Sequence, residues 1–126
     1  MEVLSSRVLL RPADPEKSTA FYRDALGLAI YRTFPGGTVF FLGQGLLEVS
    51  EHGDGGPAGP AGLWLQVRDL DATLAELAAR GVTPDREPRL EPWGLREAWL
   101  SDPDGIRIVL VEVPADHPIR TDVRAQ

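Results

Sequence analysis

The sequence predicts an α+β protein made of two tandem copies of one βαβββ unit. Three observations lead there. Two segments, residues 3–51 and 62–113, follow the same plan: a short apolar strand, a capped helix ending in Gly, then three strand-like runs. The glycines that close the two predicted helices, Gly27 and Gly81, lie 54 residues apart, and the strands after them are offset similarly. Between the copies, residues 52–61 form a Gly- and Pro-rich connector that breaks any regular structure. Neither copy can cover its sheet alone, so the two are expected to share a core within one domain spanning 1–126.

The elements follow in order. Val3 to Leu10 reads as a strand. Asp14-Pro15-Glu16 then opens a helix, with Asp at the N-cap, Pro at the first helical position and an acid in the first turn. This helix is expected to run to Leu26, with Gly27 as its left-handed stop and Ala20, Phe21, Ala25 and Leu28 as its apolar stripe. Strands are expected over Ala29–Phe34, Thr38–Leu42 and Leu46–Ser50, joined by Pro35-Gly36-Gly37 and Gly43-Gln44-Gly45. The second copy places a strand at Leu63–Val67 and an Asp69-capped helix over Leu70–Arg80, whose face is Leu70, Leu74, Leu77 and Ala78. Strands over Val82–Leu90, Leu95–Ser101 and Ile106–Val113 follow, the last two joined by the tight turn Asp102-Pro103-Asp104-Gly105. Residues 114–126 read as a polar, irregular tail.

Composition narrows the function. Hydrophobic residues at 43% and charged residues at 25% suit a soluble globular protein. No apolar run nears the roughly 20 residues that span a bilayer, and no basic-then-apolar N-terminal stretch suggests a signal peptide. The chain has no cysteine, which removes disulfides, thiolate metal sites and thiol nucleophiles. A net charge of −6 argues against a phosphate-tracking nucleic-acid binder. The expectation is a cytoplasmic protein with no membrane or nucleic-acid partner.

Three stretches carry a family likeness: Ser18-Thr19-Ala20-Phe21-Tyr22-Arg23-Asp24-Ala25-Leu26-Gly27-Leu28, Val67-Arg68-Asp69-Leu70-Asp71-Ala72, and Trp93-Gly94 leading into Asp102-Pro103-Asp104-Gly105. With them the chain resembles the vicinal oxygen chelate superfamily, which includes glyoxalase I, extradiol dioxygenases, fosfomycin-resistance enzymes and bleomycin-resistance proteins. The resemblance implies paired modules whose curved mixed sheets enclose a ligand cavity, and a homodimer. It also implies four strand positions that hold a metal through His or Glu. Here those positions read Arg7, Glu48, Gly62 and Val109. Arginine does not become a ligand, and Gly and Val offer no side-chain donor. His52 and His117 fall in the connector and the tail and do not rescue the set. Neither a metal nor another cofactor is expected.

Strand alternation then predicts the lining of the cup. Leu9 and Arg11 join Arg7; Leu46 and Ser50 flank Glu48; Trp64 and Gln66 follow Gly62. Arg107 and Val111 flank Val109, and Trp99 joins from the neighbouring strand. Val8, Leu10, Leu63, Leu65, Val67, Ile108 and Leu110 are expected under the helices. Arg7 and Glu48 are read as a potential ion pair that orients Arg7 toward a ligand, with an ordinary structural bridge or two exposed charges as the competing reading. Trp64 and Trp99 are read as stacking walls and Trp93 as a lid at the mouth, with core packing the competing role for one of the three. Gly62 is read as opening space beside Trp64. The function that follows is metal-independent binding of a hydrophobic or aromatic small molecule, of the antibiotic-sequestering bleomycin-resistance type. The competing readings are a small-molecule enzyme (isomerase, lyase or dioxygenase-like) using Glu48, and a regulatory module with a vestigial cavity. No recognisable nucleophile–base pair supports hydrolytic chemistry, and an ion pair with Arg7 weakens Glu48 as a base.

Overall fold

A computed structural model describes residues 2, 4, 7–51 and 62–116. The connector, His52, His117 and the tail beyond Asp116 lie outside the described residues. The fold is α+β, with two four-stranded mixed sheets and one helix per module. Two compact units result, each described by itself: one holds the first module together with Asp102–Gly105, the other holds the rest of the second module.

In the first unit, β1 (Val8–Leu10), β2 (Ile30–Phe34), β3 (Gly37–Leu42) and β4 (Gly45–Ser50) take the order β1-β4-β3-β2. β1 runs parallel to β4 and the other pairs are antiparallel. Two glycines are required here. Gly43 takes φ 58° at the first position of the β3–β4 turn, where a side chain is disfavoured. A Cβ on Gly37 would stand 2.6 Å from the Val49 carbonyl oxygen, so only Gly lets the strands pair there. Val8 shares the helix side with Leu47 by register, yet it is exposed because β1 is an edge strand.

The first helix departs from expectation. Asp14 caps it, accepting from the Lys17 amide at 3.1 Å, but regular α1 spans only Pro15–Ala20. The chain then widens into a π-helical turn, Phe21–Ala25, with Leu26 N donating to Phe21 O at 2.9 Å. Gly27, at φ 71°, ends the segment as expected. The buried stripe is Ser18 and Tyr22, not Ala20, Phe21, Ala25 and Leu28, which are only half-buried. Counting apolar residues misplaces this face because its central residue has a polar end. The Tyr22 hydroxyl donates to Asp102 Oδ2 at 2.6 Å inside the unit, while its ring packs on Phe21 and Phe40. Asp102 in turn accepts the Asp104 amide at 2.8 Å, and Gly105, at φ 85°, closes the turn. Leu10, Phe40, Leu47 and Val49 complete this core.

In the second unit, β5 (Gly62–Gln66), β6 (Arg86–Leu90), β7 (Arg96–Ser101) and β8 (Arg107–Glu112) repeat the pattern as β5-β8-β7-β6. α2 (Leu70–Ala79) is capped by Asp69, which accepts from the Ala72 amide at 3.0 Å, and Gly81 follows it at φ 84°. Its N-terminus is pinned to the sheet by Glu112, which accepts the Leu70 amide at 2.7 Å. Leu70 and Leu77 are buried and Leu74 half-buried, whereas Ala78 is exposed, so the helix face is narrower than expected. β6 begins at Arg86, not Val82, and carries one extra residue between Arg86 and Arg89. Pro88 lies within that bulge, where it has no amide to give to the ladder. β2 is bulged likewise between Ile30 and Arg32.

Tyr22→Phe removes the phenol donor to the buried Asp102 carboxylate and is expected to cost about 1.5–3 kcal/mol. Urea unfolding at neutral pH should show a lower midpoint at unchanged slope. Burial, then the bond to Asp102, push the Tyr22 phenol far above its usual 10.0. Its contribution is therefore complete below pH 10.0 and declines as the unfolded chain ionises above it. The wild type should lose more stability than Tyr22→Phe on the alkaline side.

Candidate functional site

The side chains that carry chemistry sit on the sheet faces turned away from the helices. In the first unit the register aligns Leu9, Glu48, Val39 and Arg32 across the sheet. Arg7, just before β1, donates through Nη1 to Glu48 Oε1 at 2.8 Å, the pair expected from the sequence. Glu48 keeps only 17% of its side-chain surface and Arg7 36%, so the carboxylate is the more enclosed partner. Leu9, Arg11, Tyr31 and Phe41 are exposed, with Tyr31 and Phe41 meeting edge to face at 5.2 Å. Val39 and Ser50 are buried on this face.

In the second unit the register gives three rows: Gly62–Arg107–Ser101, Trp64–Val109–Trp99–Arg86 and Gln66–Val111–Glu97–Arg89. Trp64 is 51% exposed and Gln66 is exposed beside it. Trp99 has two guanidinium carbons over its ring, Arg86 at 3.9 Å and Arg107 at 4.3 Å from the centroid. Its π-face is thus engaged from within the chain, which leaves Trp64 as the open aromatic surface of that row. Trp93 donates its indole N–H to Glu97 Oε2 at 2.7 Å and keeps 57% of its surface. Val111, expected as wall, is sealed by Leu95 and Val113, with Val109 packed against that cluster.

The alternation that places Trp99 on this face also places Glu97 there, two residues earlier, and a search for the four metal positions passes over it. Arg86 has no such signal: the β6 bulge resets its alternation, and only the register with Trp99 reveals it. Glu91, buried, binds Arg86 Nη2 and accepts from Arg89 Nε at 3.3 Å. Burial pushes the Glu91 carboxyl up, but the hydrogen bonds from Arg86 and Arg89 outweigh it and hold it below the usual 4.5.

Gly62 does less than expected to open space. A Cβ there would lie 2.9 Å from the Arg107 carbonyl oxygen, so Gly serves the close approach of β5 to β8. The donor set does not fit a divalent metal. Of the four equivalent positions only Glu48 has a donor atom, and its Oε1 is engaged by Arg7. Among the described residues, no three of His, Cys, Asp and Glu gather to make another set.

Paired βαβββ modules, each with one helix-covered face and one face bearing polar and aromatic side chains, define a chelate-type module protein whose metal positions are substituted. The chain belongs to the glyoxalase/bleomycin resistance protein/dioxygenase superfamily, whose family model matches residues 5–110. It is similar to a glyoxalase/bleomycin resistance protein from Catenulispora acidiphila, with 31% identity, TM-score 0.72, and coverage of 89% of this chain and 100% of that one. TnmS3, an antibiotic binding protein from Streptomyces sp. CB03234, shares 28% identity at TM-score 0.76, covering 90% and 98%. A bleomycin-binding protein solved with bleomycin shares the fold at 24% identity and TM-score 0.69, covering 90% and 100%. No curated protein matches the chain significantly.

Because Glu91 is held deprotonated in the folded state, its contribution is present above the unfolded value of 4.5 and is lost as pH falls. Glu91→Gln should lower the melting temperature at neutral pH and flatten its decline on acidification. A melting series from about pH 3 to pH 7 reads both effects.

Proposed function

We propose that this protein binds a hydrophobic, aromatic small molecule without a metal and sequesters it, as an antibiotic-binding resistance protein does. The observation that carries the reading is Trp64. A large aromatic ring stands half-exposed on a sheet face, two residues from a family metal position that holds no donor. Burying such a ring against a planar ligand is favourable through apolar contact and stacking. The likeness to an antibiotic binding protein supports the same class of ligand. In this reading Trp64 stacks on the ligand and Trp93 covers its edge. Gln66 and Arg107 meet its polar groups, while Val109 supplies apolar contact. The protein works in the cytoplasm as a homodimer. Engagement of Glu48 by Arg7 supports binding over an enzyme that uses Glu48 as its base.

Titration of tryptophan emission with a panel of aromatic antibiotics should give saturable quenching by at least one member. Trp64→Ala should weaken that ligand about tenfold or more while leaving the circular dichroism and melting temperature nearly unchanged, since the ring is exposed. Absence of saturable quenching across the panel, or full affinity in Trp64→Ala, would sink the reading.

A further inference from the structure

Resting on that binding reading, we infer that the ligand is a planar aromatic acid whose anionic group is received by Arg107. Arg86 and Arg107 both lie over Trp99, yet their charges are answered differently. Arg86 is largely buried and paired with Glu91. Arg107 is exposed, and among the described residues the one interaction of its side chain is with the indole ring. A guanidinium has five N–H donors in a planar fork that matches a carboxylate, and stacking on an aromatic ring leaves those in-plane donors free. Trp99 therefore fixes Arg107 without consuming its hydrogen-bonding capacity.

The neighbours complete the site. Across the ladder Arg107 faces Gly62, which has no side chain to cover it. One row further on the same face stands Trp64, exposed. An arene on Trp64 would carry an acidic substituent toward Arg107. The face is also short of acceptors, because Trp99 Nε1 and Arg86 Nε are buried with no hydrogen-bond partner among the described residues. The carboxylates around it are engaged: Glu91 by Arg86 and Arg89, Glu97 by Trp93, and Asp85 by the hydroxyl of Ser101, which stands in the row of Arg107. A free cation set among committed anions, on a chain of net charge −6, selects an anion locally where the overall field does not.

The test compares 2-naphthoate with 2-naphthamide by isothermal titration calorimetry on the full chain, since the two share a ring system and differ in charge. The acid should bind about tenfold more tightly than the amide, and added salt should weaken the acid alone. Arg107→Gln should abolish the preference, so that the variant binds the acid no more tightly than it binds the amide. Arg107→Lys should restore part of the preference, because an ammonium keeps the charge but not the planar fork. Equal binding of both probes, or a preference that survives Arg107→Gln, overturns the assignment of Arg107 while aromatic binding stands. No heat from either probe also overturns it, and the antibiotic panel then judges the binding reading separately.

Discussion

Each sheet of this protein is covered on one face by its own helix, and that one-sided burial decides where every functional side chain points. In the second unit Leu63, Leu100, Ile108 and Leu110 are buried on the helix side with Leu70 and Leu77. Full burial of such a side chain is worth about 1.5–3 kcal/mol, against a total stability on the order of 5–15 kcal/mol for a typical domain. A slip of one residue along a strand would turn the whole set outward, so the register is strongly held. Trp64, Val109, Trp99 and Arg107 take the opposite face as a consequence. The same reasoning sets Leu9 and Glu48 opposite Leu10, Leu47 and Val49 in the first unit. Burial of the helix-side residues thus positions the candidate binding residues on the other face.

Electrostatics then divides that second set. Glu48 accepts from Arg7, Glu91 binds Arg86 and Arg89, and Glu97 accepts from Trp93. Partly or wholly enclosed carboxylates tied to donors gain charge-assisted bonds, and breaking any of them strands a poorly solvated charge. Such groups are poor candidates for holding a cation or moving a proton. The chemistry of the faces therefore passes from donor oxygens, which the family uses for metals, to guanidinium groups and indole rings.

Much of this was legible in the residues. Capping Asp residues, the Pro at the helix start and the paired Gly stops located both helices, and strand alternation sorted the two faces of β5 and β8 correctly. The Arg7–Glu48 pair followed from placing both at former ligand positions. What stayed hidden depended on contacts distant in sequence. Tyr22 is buried because Asp102, 80 residues away, accepts its hydroxyl, and no local stripe encodes that. Bulges in β2 and β6 shift alternation by one residue, which hid Arg86. Gly62 looks like vacated space until the Arg107 carbonyl is seen beside it.

The turn between β7 and β8 has a consequence for how the repeat is understood. It is encoded in the second copy, yet Asp102–Gly105 is built into the first unit, where Tyr22 holds it and the Ala13 amide reaches Asp104 at 3.3 Å. Cutting the chain anywhere between the two copies would send a buried phenol and its acceptor into different fragments. The duplicated sequence segment and the cooperative folding segment are therefore not the same stretch of chain. A first copy produced alone would lack the acceptor of its buried phenol, so the repeat boundary in the sequence does not mark a boundary at which the first unit is complete.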